Sequence, residues 1–595
     1  MLKGKTVYMV LCAVLIVVSA GFGADLKDDW NDFLHYTKIG RFDLAKSYAK
    51  AILDSNPDPV ALLNLTLENP LGYEIMLKVN ESKPDAELVA LTEQVMAVIE
   101  QGRFIRRSDP QIVVQEVKRL SSDTERGRMT ALKRLREAGE FSIPFMLDVL
   151  ADPDRRSEVG NVIAALPQIG QPAIRPLAAA IQTKNPAIKL EVIRALGNIG
   201  YPQALPYLKY IVENDDSNES KTLATQAIQK IDPTAYRLSA AEQFFKLGEM
   251  YYDHAESLQA TSAAGESQIW FWDTDTRRVI WQSVDSRYFH ELMAMRCCEW
   301  ALKADPNFEL SVGLWLAGFF KAEAVGVPMP DYFGEGHAGA FVYATTAGPK
   351  YLHQALARGL NEGNAAVALG ATEALIVTAG KKSIFVPVGP VQPLLRALTF
   401  TDKAVRYSAA IAIATASPRG QFQESDLVVQ NLAQAIASAA DDAGLPGSED
   451  VETRYDVRAM KALIALGASQ NDAFDLNLAQ DALIKTAASH DPILQVTAGK
   501  ALSYINSPMS QKTIAALALD ENNTPDVRKA SFVSLANSGR LYGGMLESSV
   551  LSAIYELIRS DQADDDLRES AATAYGSLDL PSGQMKNLVL DQARS

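Results

Sequence analysis

The stretch Ala165-Leu166-Pro167-Gln168-Ile169-Gly170 returns thirty residues later as Ala195-Leu196-Gly197-Asn198-Ile199-Gly200. Apolar residues at helical spacing, with a glycine closing each copy, are the pattern of stacked short helix pairs. Working outward, Leu135, Leu166, Leu196 and Ile228 occupy equivalent places, at steps of 31, 30 and 32 residues. Gly139, Gly170 and Gly200 follow, where a helix needs a left-handed residue to stop, and Asp232 stands in the fourth copy. Pro144, Pro176 and Pro206 then open a second helix, in a first turn whose N–H groups have no intrahelical partner. From about Arg126 to Ala235 each unit therefore reads helix, glycine turn, helix. Neither helix buries its apolar stripe alone, so the units must stack.

These residues resemble HEAT-like repeats, of the short variety also seen in phycobilisome lyase proteins, and the resemblance implies an α-solenoid. A less regular array continues from 361 to 595. Its mark is an acid followed by Val or Leu and Arg: Asp402 with Val405-Arg406, Asp456-Val457-Arg458, Asp526-Val527-Arg528 and Asp566-Leu567-Arg568, with Asp491, Leu494 and Gln495 as a degenerate copy. An acid suits the first turn of a helix; the resemblance implies that the arginine pairs with an aspartate of a neighbouring unit. Two further segments resemble tetratricopeptide (TPR) repeats. One spans 25–125, through Gly40, Phe42, Ala45, Tyr48, Ala49, Ile52, Leu53 and Pro57; the other spans 236–360, through Ala301-Leu302-Lys303-Ala304-Asp305-Pro306, Leu314, Leu316, Ala317 and Phe320. The expected fold class is all-α: a solenoid of HEAT-like repeats with a TPR-like block that carries one inserted β-hairpin.

That hairpin is expected at about 268–282. Gln268-Ile269-Trp270-Phe271-Trp272 and Arg278-Val279-Ile280-Trp281 are aromatic and β-branched runs on either side of a polar turn, although no glycine marks the turn. Alternation puts Trp270 and Trp272 on one face and Ile269 and Phe271 on the other, so at least one apolar face needs cover. Burial against the TPR-like helices competes with a recognition ledge, in which Trp270, Trp272 and Trp281 with Arg277 and Arg278 contact a partner, as Trp and Arg dominate binding hot spots.

Bulk properties fit a folded, elongated chain. Of 595 residues, 48% are apolar and 22% charged, too long for one core and too apolar for disorder. The first 24 residues carry Lys3 and Lys5 and no acid, so the formal charge of −15 becomes −17 without them. Such a surface repels phosphate backbones, and no Lys/Arg run offsets it, which excludes nucleic acid as the expected partner. Lys3 and Lys5, the apolar run Val7 to Val18 and the small residues Ser19 to Ala24 form a signal-peptide pattern over 1–24, with cleavage after Gly23 or Ala24. An uncleaved anchor is the rival; its apolar core falls short of the roughly 20 residues that span a bilayer. The chain is thus expected to be exported, to the periplasm or outside the cell.

Chemistry is scarce in the pattern. Cys297 and Cys298 are adjacent, so on a helix they point about 100° apart, which favours core thiols over a redox pair. His290-Glu291 begins a zinc-protease motif, but the second histidine falls at Ala294. His35, His254, His337, His353 and His490 have no ligands at metal spacing, so no metal or cofactor is expected. Gly334-Glu335-Gly336-His337-Ala338-Gly339 matches a dinucleotide fingerprint only in letters, because no strand precedes it. Asp273-Thr274-Asp275 reads as turn chemistry rather than a calcium loop. Asp441 to Ser448 is a linker, and Leu578 to Ser595 caps the stack. The function expected is a non-enzymatic scaffold that binds protein or peptide partners through solenoid surfaces. The alternative is a bilin-like small-molecule carrier or lyase, suggested only by the resemblance.

Overall fold

The computed structural model describes residues 22–259, 265–329, 338–438, 454–560 and 562–578, with Lys586 and Leu590. The signal-peptide pattern before Phe22, the Gly334 to His337 part of the glycine-rich stretch, the linker at Asp441 to Ser448 and nearly all of the C-terminal cap lie outside the described residues. The fold is an all-α solenoid with one two-stranded antiparallel hairpin. Its residues group into two compact units, one within Met1–Gln243 and Glu256–Phe289, the other within Phe244–Ala255 and His290–Ser595. Among the described residues no helix is long and apolar enough to cross a membrane.

The first unit opens with the antiparallel pair Phe22–Lys38 and Phe42–Asp54, turned at Gly40 with φ +74°. Trp30, Phe33, Leu34, Ala45, Ala49 and Ile52 bury the facing stripes. The repeats follow as Glu125–Ala138 with Ser142–Ala151, Arg156–Ala165 with Ile174–Ala180, and Pro186–Ile199 with Leu205–Asn214, then Asn218–Ile231. Leu135, Leu166, Leu196 and Ile228, the residues that set the period, are all buried. The three glycines have positive φ, but only Gly200 is a left-handed helical cap, at φ +78° and ψ 17°. Gly139 and Gly170 combine positive φ with ψ of −123° and −151°, a region that side chains exclude. They lead into short 3-10 turns, Gly139–Phe141 and Gln171–Ala173, and the second helices start after these. Gly197 marks where first helices of successive repeats nearly touch: a Cβ there would lie 2.7 Å from Ala227 Cβ.

In the second unit the acidic markers sit at helix starts. Asp402 and Asp491 are N-caps, accepting from Val405 N at 3.1 Å and Ile493 N at 2.9 Å, which satisfies an otherwise orphaned donor. Asp456, Asp526 and Asp566 lie in first turns. The arginine ladder differs from expectation. Arg406 donates to the carbonyls of Phe400 and Thr401, and Arg528 to that of Ala518. Arg458 pairs with Glu373 at 2.7 Å, and Arg568 with Asp565 of its own helix. A long guanidinium reaches the orphan carbonyls of a nearby helix end as readily as a distant carboxylate. Aspartates of neighbouring units are instead met by Arg454, 3.7 Å from Asp491, and Lys529, 3.7 Å from Asp566.

Candidate functional site

The hairpin is built from β1 (Glu266–Asp273) and β2 (Arg278–Asp285), with Trp270 opposite Trp281 and Asp273 opposite Arg278. Asp273 organises the four-residue turn: its carboxylate accepts from Asp275 N at 3.0 Å and Thr276 Oγ1 at 2.5 Å. The Thr276 hydroxyl and Asp275 N–H hold the Asp273 carboxyl below the usual range. Arg277 completes the turn at φ +55°, taking the left-handed place that a glycine usually fills. Thus the turn forms without glycine, and the two aspartates are hydrogen-bonded turn residues.

The base of the hairpin is core. Ser267, Gln268, Ile269 and Trp270 are buried on both faces of β1, against the Ile174–Ala180 helix, and β2 also meets Ser142–Ala151. The cover therefore comes from second helices of the repeats, Ser142–Ala151 and Ile174–Ala180, and not from the TPR-like helices expected from the sequence. Phe141 is the hub. Its ring stands edge-on to Trp270 at 5.9 Å, to Trp281 at 5.5 Å and to Phe104 at 5.4 Å. Beside it Glu140, 2% exposed, accepts from Trp270 Nε1 at 2.7 Å and pairs with Arg175 at 2.8 Å through the same oxygen, Oε2. Arg107 lies over the rings of both Phe104 and Phe141. Burial pulls its pKa down against the pull of the Glu140 charge. Behind this, Gln171 and Gln203, at matching places in two repeats, donate to the single carbonyl of Ser257 at 2.7 and 2.8 Å.

The tip differs. Phe271 and Trp272 are half-buried, Ile280 is 43% exposed and Arg277 is exposed. Arg278 forks onto Asp148, its Nε 3.0 Å from Oδ1. Of the five residues singled out from sequence, Trp270 is therefore a core residue, 4% exposed, whose indole is engaged from within. Trp281 is half-buried on Phe141, Arg278 is an anchor, Trp272 is half-buried at the tip, and Arg277 is exposed there with Ile280. Phe271 and Ile280 lie opposite each other in register, which alternation alone could have signalled.

A second polar cluster, in the other unit, has no sequence signature. His254, at φ +54°, brings its Nε2 to 2.6 Å from Glu291 Oε1 and stacks on His290 at 4.6 Å between ring centroids. Lys321 Nζ lies 3.2 Å from the same Glu291 oxygen and donates to the carbonyl of Tyr252 at 2.8 Å. Glu291 is 2% exposed. Among the described residues no group of three or more His, Cys, Asp or Glu side chains is placed to hold a metal ion. Cys297 and Cys298 are both buried free thiols, and burial pushes both pKa values well above the ordinary thiol.

Among curated proteins none matches the chain. Solved structures similar to it include Kap121p, at 12% identity over 94% of this chain and 54% of that one, with TM-score 0.30. Importin beta is similar at 14% over 88% and 68%, TM-score 0.25, and human deoxyhypusine hydroxylase with glycerol at 14% over 80% and 98%, TM-score 0.19. The chain spans about half the length of Kap121p. Likenesses this distant carry nothing about chemistry or partners. The stretch with which the reading of the repeats began does have a match: residues 143–229 fit the family model for HEAT repeats.

Proposed function

We propose that this chain is an exported, non-enzymatic scaffold that binds protein or peptide partners, with the hairpin tip as a contact point. The observation that carries the reading is the contrast along one hairpin. Trp270, with Glu140 and Arg175, fixes the base, while at the tip Ile280 and Arg277 are exposed and Trp272 is half-buried. Rigid aromatic and arginine side chains on a fixed base are what interface hot spots are made of, since little ordering entropy is lost on binding. Export is supported by Lys3, Lys5, the Val7 to Val18 run and the small residues that follow. We also read the pair turned at Gly40 and the helices around Leu314 as TPR-like units of the same scaffold.

The test is selection of a phage-displayed random peptide library on the wild-type protein against the double variant Trp272→Ala/Ile280→Ala, with circular dichroism to establish that both are folded. Enrichment on the wild type alone supports the reading; equal enrichment on the two proteins removes the tip from it. Mass spectrometry of protein recovered from the envelope or medium tests export. A mass lacking the first 23 or 24 residues is expected, and retention of the full chain in the cytoplasm overturns it.

A further inference from the structure

We infer that the outer edge of β2 accepts an extended peptide segment of a partner as a third strand; this rests on the scaffold reading above. Ser286 N donates to Gly265 O at 2.8 Å, just beyond the paired strands. That bond makes 265 and 286 a hydrogen-bonded pair, and the alternation of antiparallel ladders sets the rest. With the observed register, Ile269 and Gln282, Phe271 and Ile280, and Asp273 and Arg278 are the hydrogen-bonded pairs, and Trp270 with Trp281 is a non-hydrogen-bonded one. The N–H and C=O groups of Val279, Trp281 and Ser283 therefore point away from β1. The sheet has two strands, and these groups meet no backbone partner among the described residues.

Burial identifies β2 as the open side. Residues 267–270 of β1 are all buried, whereas on β2 only Val279 and Val284 are buried, Ile280 and Ser283 are exposed and Trp281 and Gln282 half-buried, so the open stretch of the edge runs from Ile280 to Ser283. Proteins blunt such edges with lysine, proline, a bulge or a covering element. The strand Arg278-Val279-Ile280-Trp281-Gln282-Ser283-Val284-Asp285 has no lysine or proline and runs in unbroken register. Its one charged side chain near the tip, Arg278, is drawn to Asp148 and away from guarding the edge. A row of outward donors and acceptors at every second residue matches only an extended backbone, and alternate apolar side chains of the guest would meet Ile280 on one face and Trp281 on the other. The occupant is thus a β-forming segment of alternating apolar residues.

Proline separates this mode from side-chain capture. Ser283→Pro removes an outward N–H and leaves the backbone ladder to β1 intact, because proline is tolerated on an edge strand when its nitrogen faces away; it also removes the Ser283 hydroxyl that donates to Gln268 Oε1 at 3.0 Å, a loss that Ser283→Ala measures alone. Gln282→Pro removes an inward donor and serves as the disrupted control. With the tightest peptide from the library selection as probe, Ser283→Pro is expected to weaken binding at least tenfold, and the amides of Trp281 and Ser283 to gain hydrogen-exchange protection when the peptide binds the wild type. Peptides that bind Ser283→Pro as tightly as wild type, yet lose affinity for Trp272→Ala/Ile280→Ala, would overturn strand addition and leave the scaffold reading standing. If no peptide is enriched on the wild type, both fall. Should Ser283→Pro lose the fold by circular dichroism, the exchange measurement decides alone: unprotected Trp281 and Ser283 amides in the complex overturn the inference.

Discussion

Trp270 Nε1 donates to Glu140 Oε2 at 2.7 Å, tying the hairpin to a repeat turn 130 residues earlier in the chain. Glu140 is buried, and its other oxygen, Oε1, has no hydrogen-bond partner among the described residues. Taking away the indole N–H therefore leaves a carboxylate short of donors where water does not reach. Trp270→Phe is expected to cost about 1–3 kcal/mol for that reason, and Trp270→Ala about 3–5 kcal/mol as the ring volume is lost as well. Urea unfolding followed by circular dichroism reads both. A Trp270→Phe variant as stable as wild type would mean that the bond carries no net energy.

Arg277 separates backbone strain from recognition. A side chain at φ +55° pays a steric cost that glycine avoids. Arg277→Gly is expected to raise the stability of the hairpin by about 0.5–1 kcal/mol while weakening capture of the library peptides. A gain in stability with unchanged capture would show that the arginine is only a turn residue.

What was legible from sequence was whatever the repeat writes locally. Leu135, Leu166, Leu196 and Ile228 announce themselves by period, and each is buried. The contacts that decide the site are not periodic. Glu140 and Asp148 meet Trp270 and Arg278 across 130 residues, and His254 meets Glu291 across 37. No window of sequence contains both partners. The arginine ladder differs for another reason: the residues were in place, but Arg406 and Arg528 donate to backbone carbonyls. At the hairpin, alternation correctly paired faces but could not say that the base is covered on both of them while the tip is not.

Two glycines of the repeated hexapeptides are needed for opposite reasons. A Cβ on Gly170 meets no atom within 4 Å, so Gly170→Ala is resisted by its backbone alone, at φ +80° and ψ −151°. The expected cost is about 1–3 kcal/mol. Gly197 has ordinary helical geometry but no room, since its Cβ would sit 2.7 Å from that of Ala227. Gly197→Val should cost a similar 1–3 kcal/mol by forcing the helices apart. The double variant Gly197→Val/Ala227→Gly should recover part of the packing loss, whereas no change at Ala227 should help Gly170→Ala. Thermal unfolding of the wild type, the two single glycine variants and each of these combined with Ala227→Gly checks this, and equal rescue of both glycine variants would remove the distinction.

His353 gives the second unit a defined sensitivity to mild acid. Its ring is fully buried, with Nε2 2.9 Å from the carbonyl of Ser383, so that nitrogen is the protonated one. Nδ1 is buried without a hydrogen-bond partner among the described residues. A second proton would charge the ring where nothing accepts it, and burial accordingly lowers the pKa from its ordinary value, opposed by the Ser383 bond. In the unfolded chain the same ring titrates near 6.5. The unfolded state thus binds the extra proton first, so the stability from this site is complete above about pH 6.5 and is lost as pH falls toward the depressed folded value. Asp215, which burial pushes up but Lys189 and the Ser217 N–H together hold below the usual carboxylate value, titrates below that window. His353→Gln keeps an amide donor for the Ser383 carbonyl but cannot ionise. The urea midpoint of the wild type should fall between pH 7.5 and 5.5 by more than that of His353→Gln, His254 and His290 being common to both. Parallel pH dependence in the two proteins would place the acid sensitivity elsewhere.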